Sequence, residues 1–296
     1  MQLRKKRTNV ADVIDKTDGN KIYLGNDLPR SLSVSLLYFA LGVIFVVVVW
    51  QIIASTYNAY WSSILTFPTP VEAFGKLGEY IGGTKFLRYT MWEHLSGSLL
   101  RWMVGFTVAV AIGLTAGILM STGERMYRFG MVPVSILQII PGLAWLPVTI
   151  LLFGYGDGAA IFIIAITVIS PVAISVSTGL RRVPKVYKHI AETSYRSRLD
   201  TLLEIRLPFS LPDIVSGLRI GMANSWRMLI AAEMVVGVAR GLGFAIQMST
   251  DNLDYLSAFT CIIIICVIGL MLDKLLFANL ERHIRNRMGA DEEAER

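Results

Sequence analysis

Two arginines, a glutamate and an asparagine interrupt an otherwise apolar stretch, IVSGLRIGMANSWRMLIAAEMVVG, residues 214–237. Each charge at the centre of such a helix would add roughly 2.5–3.5 kcal/mol to its insertion into a membrane, so these side chains should face protein or water. At 100° per residue, Arg227 and Glu233 point about 120° apart and do not pair along one helix. Either they reach partners on other helices or they line an aqueous path.

Arg227 has three possible roles at this point: it lines a pathway, forms a structural ion pair, or snorkels to the membrane surface. Arg219 lies closer to the predicted cytoplasmic end and is read as a snorkelling anchor. An arginine that faces an aqueous path could attract a small anion. The candidate pathway residues in this stretch are Asn224, Trp226, Arg227 and Glu233.

A second group of candidate residues surrounds a predicted break in the chain. Residues 129–153 contain Pro133, Pro141 and Pro147, and proline removes a backbone hydrogen bond and clashes with the preceding helical turn. Broken helices at membrane depth are tolerated where they line a cavity. We therefore add Gln138, Pro141 and Trp145 to the candidate pathway, with a simple packing kink as the alternative.

The elements that must position these residues are transmembrane helices. The chain has 296 residues, is 54% hydrophobic and only 17% charged, and has a mean hydropathy of +0.55, which exceeds what one soluble core needs. Six windows can each cross about 30 Å of hydrocarbon as a helix. They run from Leu32 to Ser55, Leu95 to Met120, Phe129 to Phe153, Gly158 to Leu180, Ile214 to Gly237 and Tyr255 to Leu272.

The distribution of lysine and arginine predicts the orientation. With both termini in the cytoplasm, 21 of these residues fall on the cytoplasmic side and 4 outside, which agrees with the positive-inside rule. The formal charge of +6 therefore needs no nucleic acid to explain it. Residues 1–31 are expected to form a cytoplasmic arm, 32–278 a transmembrane domain with a cytoplasmic loop at 181–210, and 279–296 a cytoplasmic tail. The first window begins too late, and is too long, for a signal peptide.

Two further features of the sequence concern the outer membrane surface and the two cysteines. Val71, Phe74, Leu77 and Ile81 have helical spacing and predict either an amphipathic helix on the outer membrane surface or an ordinary loop. Cys261 and Cys266 fall within the sixth window, so we expect neither a disulfide nor a metal cluster.

The loop at 181–210 is charged and resembles a pair of short helices. Pro184 suits a first helical turn, and Ser197 with Asp200 has the S-x-x-D form of a capping box. Pro208 and Pro212 are expected to end the second helix before the fifth window begins. The loop either docks another protein or sets topology while its apolar stripe packs on the parent chain. That stripe comprises Leu199, Leu202, Leu203 and Leu207.

The loop resembles the EAA loop of the permease subunits of bacterial binding-protein-dependent ABC importers. The usual form is E-A-A, three residues, G, about nine residues, an apolar residue and L-P. Aligning Leu207-Pro208 with the terminal L-P puts His189-Ile190-Ala191 on E-A-A and Tyr195 on the glycine. The alanine and the L-P match, whereas histidine replaces the acid and tyrosine replaces the glycine.

Further stretches between about residues 65 and 285 are similar to the nitrate, sulfonate and bicarbonate (taurine-like) class of these permeases. They are PGLAWLPVTILLFGYGDGAAIF, VISPVAISVSTGLRRVPK, LPDIVSGLRIGMANSWRMLIAAEMV and GLGFAI, in that order. The resemblance implies an all-α integral membrane protein with six transmembrane helices and cytoplasmic coupling helices, of the type I importer kind, in a bacterial inner membrane. It also implies a role in coupling to an ATPase for His189, Ile190, Ala191, Glu192, Tyr195, Leu207 and Pro208.

The same resemblance implies the partners. They are two copies of an ABC ATPase, a second permease copy that forms a homodimer, and an extracytoplasmic solute-binding protein. The chain has no G-x-x-x-x-G-K-[ST] motif, so ATP and Mg²⁺ are expected on the ATPase and no cofactor on this chain. The expected cargo is a small anion such as nitrate, a sulfonate, bicarbonate or an organic carboxylate, with a heterocyclic vitamin precursor as the alternative.

Two other classes of function are alternatives, an intramembrane enzyme and a passive channel. An intramembrane enzyme would use Glu233, Arg227 and His94, but no HExxH, paired-aspartate or nucleophile-elbow motif is present. A passive channel would conduct without ATP or a binding protein. The sequence favours the transport subunit over both.

Overall fold

The computed structural model describes residues 32–61, 66–184, 186–187, 197–278 and 280. The chain divides into two units, residues 1–53 and 54–296. The helices are α1 Leu32–Tyr60, α2 Pro70–Ile81, α3 Met91–Met120, α4 Glu124–Ile139, α5 Leu146–Phe153, α6 Asp157–Arg182, α7 Arg198–Thr201, α8 Leu207–Val235, α9 Leu242–Asp251 and α10 Tyr255–Met271; a small antiparallel hairpin pairs β1 Lys85–Phe86 with β2 Tyr89–Thr90.

Four of these helical segments are long and apolar enough to cross a membrane. They are Leu37–Tyr60, Met91–Met120, Asp157–Arg182 and Tyr255–Leu275. The bent pair formed by α4 and the following helical segment brings the number to five if it counts as one span. Helix α8 contains the fifth predicted window up to Val235 and is long enough, but its charged residues make it less apolar than these four segments. The count of six spans therefore stays a prediction.

Helix α2 and the hairpin follow local sequence signals. Thr69 accepts a hydrogen bond from the Glu72 amide and the Glu72 carboxylate accepts one from the Thr69 amide, so α2 begins with a capping box. Thr90 and Glu93 repeat this arrangement at the start of α3. Of the two possibilities for residues 71–81, the structure contains the helix. Its apolar residues Val71, Phe74 and Ile81 are exposed, as a face against lipid requires.

Helix α6 forms the centre of the second unit because it packs against both α3 and α8. Glycines on α3 face α6 at helical spacing, and an added Cβ at Gly113 or Gly117 would lie within 3 Å of Val172 or Val176. Small residues let the two backbones approach closely, which is how membrane helices gain packing contacts. The position of α6 is therefore fixed on one side by α3 and on the other by α8.

The third predicted span is broken, as its prolines predict. Helix α4 ends at Ile139, Ile140 has an extended conformation, and the chain bends by 97° before it continues to Phe153. A residue that precedes proline is disfavoured in the helical region, which accounts for the extended Ile140 before Pro141. Residues Gly142–Trp145 form a short 3₁₀ helix, and Pro147 lies in the first turn of α5, where proline is tolerated.

The predicted end of the second loop helix is wrong. Helix α7 passes through a π-helical turn, Leu202–Arg206, directly into α8, and Pro212 lies inside α8. Pro208 occupies the first turn of α8, where its missing N–H is not required. In the π turn the Leu207 amide bonds to the Leu202 carbonyl, a wider spacing that carries the chain past the proline. The prolines therefore mark the entry into the fifth window, not a stop before it.

The capping signal in the same loop is confirmed. The Asp200 amide donates to Ser197 Oγ at 3.1 Å, and the Ser197 amide donates to Asp200 Oδ2 at 3.2 Å. The apolar stripe divides into two halves. Leu202 and Leu207 pack against the core that contains Leu180, while Leu199 and Leu203 remain 68% and 59% exposed.

Candidate translocation site

An open cavity of about 370 Å³ lies beside the break in the third span. It is formed by the end of α4, the turn at Pro141, the middle of α6 and the middle of α8. Four of the seven candidate pathway residues meet here, from two parts of the sequence more than 80 positions apart. They are Gln138, Pro141, Asn224 and Arg227.

Arg227 provides the charge of this cavity. Its Nη2 donates to Asn224 Oδ1 at 2.8 Å and its Nε donates to the Ala223 carbonyl at 3.1 Å. Within the described part of the chain, no carboxylate lies at ion-pair distance from this guanidinium. The side chain is exposed within the protomer. Hydrogen bonds to neutral oxygens hold the guanidinium in place but leave its positive charge uncompensated.

The cavity depends on a close approach at Gly142. An added Cβ there would lie 2.6 Å from Thr167 Cγ2 and 2.9 Å from Met228 Sδ, so this position accepts no side chain without movement of α6 or α8. Ser170 on α6 donates a hydrogen bond to the Val134 carbonyl of α4 at 3.0 Å. These contacts attach the broken span to both helices that complete the cavity.

Glu233 does not line this cavity. Of the two alternatives for this residue, a partner on another helix or an aqueous path, the structure shows a partner on another helix. It is 1% exposed, and its Oε1 accepts a hydrogen bond from Arg101 Nη1 at 2.6 Å. Arg101 Nε also donates to Asp157 Oδ1 at 2.7 Å, and its Nη2 donates to the Arg240 carbonyl. One buried guanidinium thus joins α3 to α6, to α8 and to the loop after α8.

The second oxygen of Glu233 caps helix α9. Oε2 accepts hydrogen bonds from Ser98 Oγ at 2.8 Å and from the Gly243 amide at 2.9 Å, while Ser98 Oγ accepts from the Leu242 amide at 2.8 Å. These amides belong to the first turn of α9, where a negative charge is favourable. We call Ser98, Arg101, Asp157 and Glu233 the Arg101 cluster.

His94 lies next to the Arg101 cluster. It is fully buried, its Nδ1 accepts a hydrogen bond from the Gly241 amide at 3.1 Å, and its Nε2 is 3.4 Å from the Phe86 carbonyl. Nδ1 also lies 3.1 Å from the Gly241 carbonyl oxygen, so this ring nitrogen is within hydrogen-bond distance of both backbone groups of Gly241. The three residues of the enzyme hypothesis are therefore not assembled, since Arg227 is held by Asn224 and Ala223 instead.

The remaining candidates have packing positions. Trp226 is buried and its indole N–H donates to the Ile265 carbonyl at 3.2 Å. Trp145 is partly buried and does not line the cavity. Arg219, predicted as a snorkelling anchor, forms a two-point ion pair with Asp273 at 2.7 and 2.9 Å.

Sequence reasoning missed Arg101, Ser98 and His94 as a group. They are spaced by three and four residues, so they share one face of α3, and this spacing in an otherwise apolar span was the available signal. Such a face needs polar partners on other helices, and Glu233 is one of them.

Most of the predicted coupling residues fall outside the described part of the chain. These are His189, Ile190, Ala191, Glu192 and Tyr195, whose role stays a prediction. Leu207 and Pro208 are described and form the first turn of α8.

Comparison with known protein families matches residues 109–286 to the binding-protein-dependent transport system inner membrane component. The chain belongs to this family. The permease is 32% identical over 245 residues to the taurine transport system permease protein TauC of Escherichia coli (strain K12), a match that covers 83% of this chain and 87% of TauC. It is 30% identical over 254 residues to the nitrate import permease protein NrtB of Leptolyngbya laminosa, covering 86% of this chain and 88% of NrtB.

Solved structures agree on the fold. A structure described as an inward-facing conformation of the MetNI methionine ABC transporter matches the permease with a TM-score of 0.56 and 20% identity, over 66% of this chain and 97% of the other. The permease is thus a multi-pass membrane protein with the type I importer fold. It is a transport component and not an enzyme, and it works with an ATPase and a solute-binding protein.

Proposed function

We propose that the permease, paired with a second copy of itself, forms the translocation pathway for a small anion, delivered by an extracytoplasmic binding protein. Two copies of a separate ATPase bind ATP and Mg²⁺ and drive the movement. Both termini lie in the cytoplasm, in agreement with the distribution of 21 and 4 lysine and arginine residues on the two sides. The relatives named for taurine and nitrate transport support a cargo that carries an anionic group, since nitrate is an anion and zwitterionic taurine carries a sulfonate.

The observation that carries this proposal is the uncompensated charge of Arg227 in the cavity. A guanidinium exposed to hydrocarbon would be costly, so the open side of the cavity must face water or protein. A guanidinium also presents several donors to an oxyanion, and Gln138 and Asn224 add neutral amide groups beside it. The cavity therefore combines one fixed positive charge with hydrogen-bonding groups suited to nitrate, sulfonate or carboxylate oxygens.

The second copy follows from the same argument. Arg227, Gln138 and Pro141 are exposed at the open side of the cavity in a single protomer. A facing copy would enclose that side, keep lipid away from the guanidinium and give the pathway a second wall. Closed symmetric pairs are the commonest arrangement of identical subunits.

The ATPase would dock on the loop that precedes α8. Leu199 and Leu203 point away from the permease core, although large exposed leucines on a loop outside the membrane are costly to leave in water. Residues His189–Glu192 and Tyr195 would form the other part of this docking segment, as the resemblance to the EAA loop implies. The neighbouring Leu202 and Leu207 join the docking segment to the core around Leu180.

The test is uptake by the complete complex of permease, ATPase and binding protein in proteoliposomes, with taurine, nitrate and bicarbonate as labelled probes. We expect uptake of at least one of these probes, and this uptake should require both ATP and the binding protein. Replacing the charge with Arg227→Gln should lower that uptake about tenfold or more, because a neutral amide loses the attraction to the anion. Arg227→Lys, which keeps the charge, should retain a larger share.

A control variant distinguishes loss of the Arg227 charge from loss of an arginine charge outside the cavity. Arg182→Gln removes a guanidinium that is 64% exposed and paired with Asp213 outside the cavity, so uptake should stay near the wild-type rate. Flux of the probe without ATP would favour a passive channel. Equal uptake by wild type and Arg227→Gln would remove Arg227 from the pathway.

A further inference from the structure

The guanidinium of Arg206 joins the ends of two helices. Its Nη2 donates to the Ser121 carbonyl at 3.1 Å and to the Leu180 carbonyl at 3.2 Å. Ser121 is the C-cap residue directly after the last residue of α3, and Leu180 lies in the last turn of α6. These two carbonyls come from segments 59 positions apart in the sequence and meet at one side chain.

Both carbonyls need a donor from outside their own helices. The Leu180 carbonyl would normally accept from the amide four residues later, but residue 184 is proline and has no N–H. The Ser121 carbonyl follows the end of α3, where the last carbonyls have no intrahelical partner. The C-terminal ends of helices also carry partial negative charge, so a cation is favoured there. Arg206 supplies both the donors and the charge.

Arg206 ends the loop segment and is bonded to the start of the helix that follows. It is the last residue of the π turn Leu202–Arg206, whose Leu202 packs in the core around Leu180. Its carbonyl accepts a hydrogen bond from Ser210 Oγ at 2.7 Å. Burial lowers the pKa of the guanidinium from its ordinary value, but arginine still stays protonated. π-Helical turns are rare, and they occur often at functional positions.

We propose that Arg206 is a positioning residue that transmits movement of the segment Ser197–Arg206 to the ends of α3 and α6. The inference rests on the proposed function, since the movement originates in ATPase subunits that dock on this loop. Two helices that end on one guanidinium must follow it when the loop shifts.

The movement reaches the cavity through α6. Thr167, Ser170 and Pro171 line the cavity and lie on the same helix as Leu180, within about four turns. Helix α3 follows because it packs closely on α6 at Gly113 and Gly117. A displacement at Arg206 therefore moves one wall of the cavity, as a rigid helix transmits motion along its axis.

The experiment follows exposure of the cavity and needs no knowledge of the cargo. A single reporter cysteine, Ile220→Cys, is placed in the cavity wall of a permease that carries Cys261→Ala and Cys266→Ala, since the chain has only those two cysteines. The full complex is reconstituted with the ATPase outward, and labelling by a membrane-impermeant maleimide added outside is timed with and without MgATP and vanadate. ATP hydrolysis and ATPase co-purification are measured on the same samples.

In the otherwise unchanged permease, nucleotide trapping should slow labelling about tenfold, because the cavity closes to the ATPase side. With Arg206→Met, the ATPase should still bind and hydrolyse ATP, but trapping should change labelling less than about twofold. Arg206→Lys, which keeps a cation that can donate to the two carbonyls, should restore most of the response. Arg182→Gln is the matched control and should respond like the unchanged permease.

Each contrary result has a distinct meaning. If the unchanged permease shows no response to nucleotide, the proposed ATP-driven function fails. If that permease responds and Arg206→Met responds equally, the role of Arg206 is refuted. If Arg206→Met fails to assemble while Arg206→Lys assembles without a response, the contact is structural only, which also refutes the proposal.

Discussion

Glu233 Oε1 and Arg101 Nη1 lie 2.6 Å apart although the two residues are separated by 132 positions in the sequence. Both side chains are almost fully buried, with 1% and 5% exposure. Their pairing explains how α8 can hold a carboxylate at a buried position inside a membrane protein. It also fixes the start of α9, because the same carboxylate accepts from the Gly243 amide.

Loss of Arg101 should destabilise the permease strongly. Arg101→Met leaves Glu233 as a buried charge without its cation, which typically costs about 3–5 kcal/mol of the free energy of unfolding. The measurement is a denaturation titration of purified permease. Arg88→Met is the matched control, since Arg88 is exposed on the turn between β1 and β2, and it should change stability by less than about 0.5 kcal/mol.

The double variant Arg101→Met with Glu233→Met distinguishes pairing from simple packing. Removing both charges should recover part of the lost stability, because no buried charge remains. Additive losses in the double variant would contradict the importance of this ion pair.

The charge of the cavity gives a second prediction. Asn224→Asp has nearly the same shape but places a carboxylate at the position whose Oδ1 is 2.8 Å from Arg227 Nη2. The new ion pair would neutralise the guanidinium, and anion uptake should fall about tenfold or more. Asn224→Ala is the control, since it removes the amide without adding charge and should impair uptake less. Undiminished uptake by Asn224→Asp would show that the cargo does not need this charge.

The candidate site was partly predictable because its signals are local. Prolines mark a broken span whose nearby polar residues can line a cavity, and charges in an apolar window mark a helix that faces protein or water. These two rules selected Gln138, Pro141, Asn224 and Arg227, which the structure places together. The rules say nothing about which helix packs beside which, so they could not separate Arg227 in the cavity from Glu233 in the Arg101 cluster.

The predicted stop at Pro208 and Pro212 failed for a related reason. A rule about one residue treats proline as a breaker, whereas its effect depends on whether the lost hydrogen bond is needed. In the first turn of α8 it is not needed, and the π turn before it absorbs the change of spacing. The partners of Arg206 could not be predicted from the sequence for the same reason. The two carbonyl groups that it contacts lie at the ends of α3 and α6, far from Arg206 in the sequence.

The close approach at Gly142 gives a third prediction. Gly142→Ala puts a methyl group 2.6 Å from Thr167 Cγ2, so the broken span must shift, at a cost of about 1–3 kcal/mol in stability. Gly78→Ala is the control, because nothing lies within 4 Å of its added Cβ inside α2, and alanine there should stabilise by about 0.5–1 kcal/mol. Thermal unfolding of the purified permease measures both. Thr167→Ser removes the clashing methyl and should partly rescue Gly142→Ala. Equal stability of the wild type, Gly142→Ala and the double variant would show that the site is not tightly packed.

The exposed leucines before α8 give the last prediction, which tests docking and topology together. Leu203 is 59% exposed at the surface proposed for ATPase docking. Leu253 is 58% exposed in the loop after α9. In the proposed topology, with six spans and cytoplasmic termini, this loop lies on the opposite side of the membrane. Leu203→Asp buries a charge in the docking contact, which should reduce co-purification of the ATPase severalfold or more. Permease stability should change little, because the side chain does not pack on the permease core.

Leu253→Asp is the matched control, since it makes the same chemical change at equal exposure. It should leave ATPase binding intact, because a residue on the far side of the membrane cannot touch a cytoplasmic partner. Loss of the ATPase with Leu253→Asp but not with Leu203→Asp would invert the assignment of sides. Normal co-purification with both variants would remove the leucines from the contact and leave residues 189–195 as the remaining docking segment.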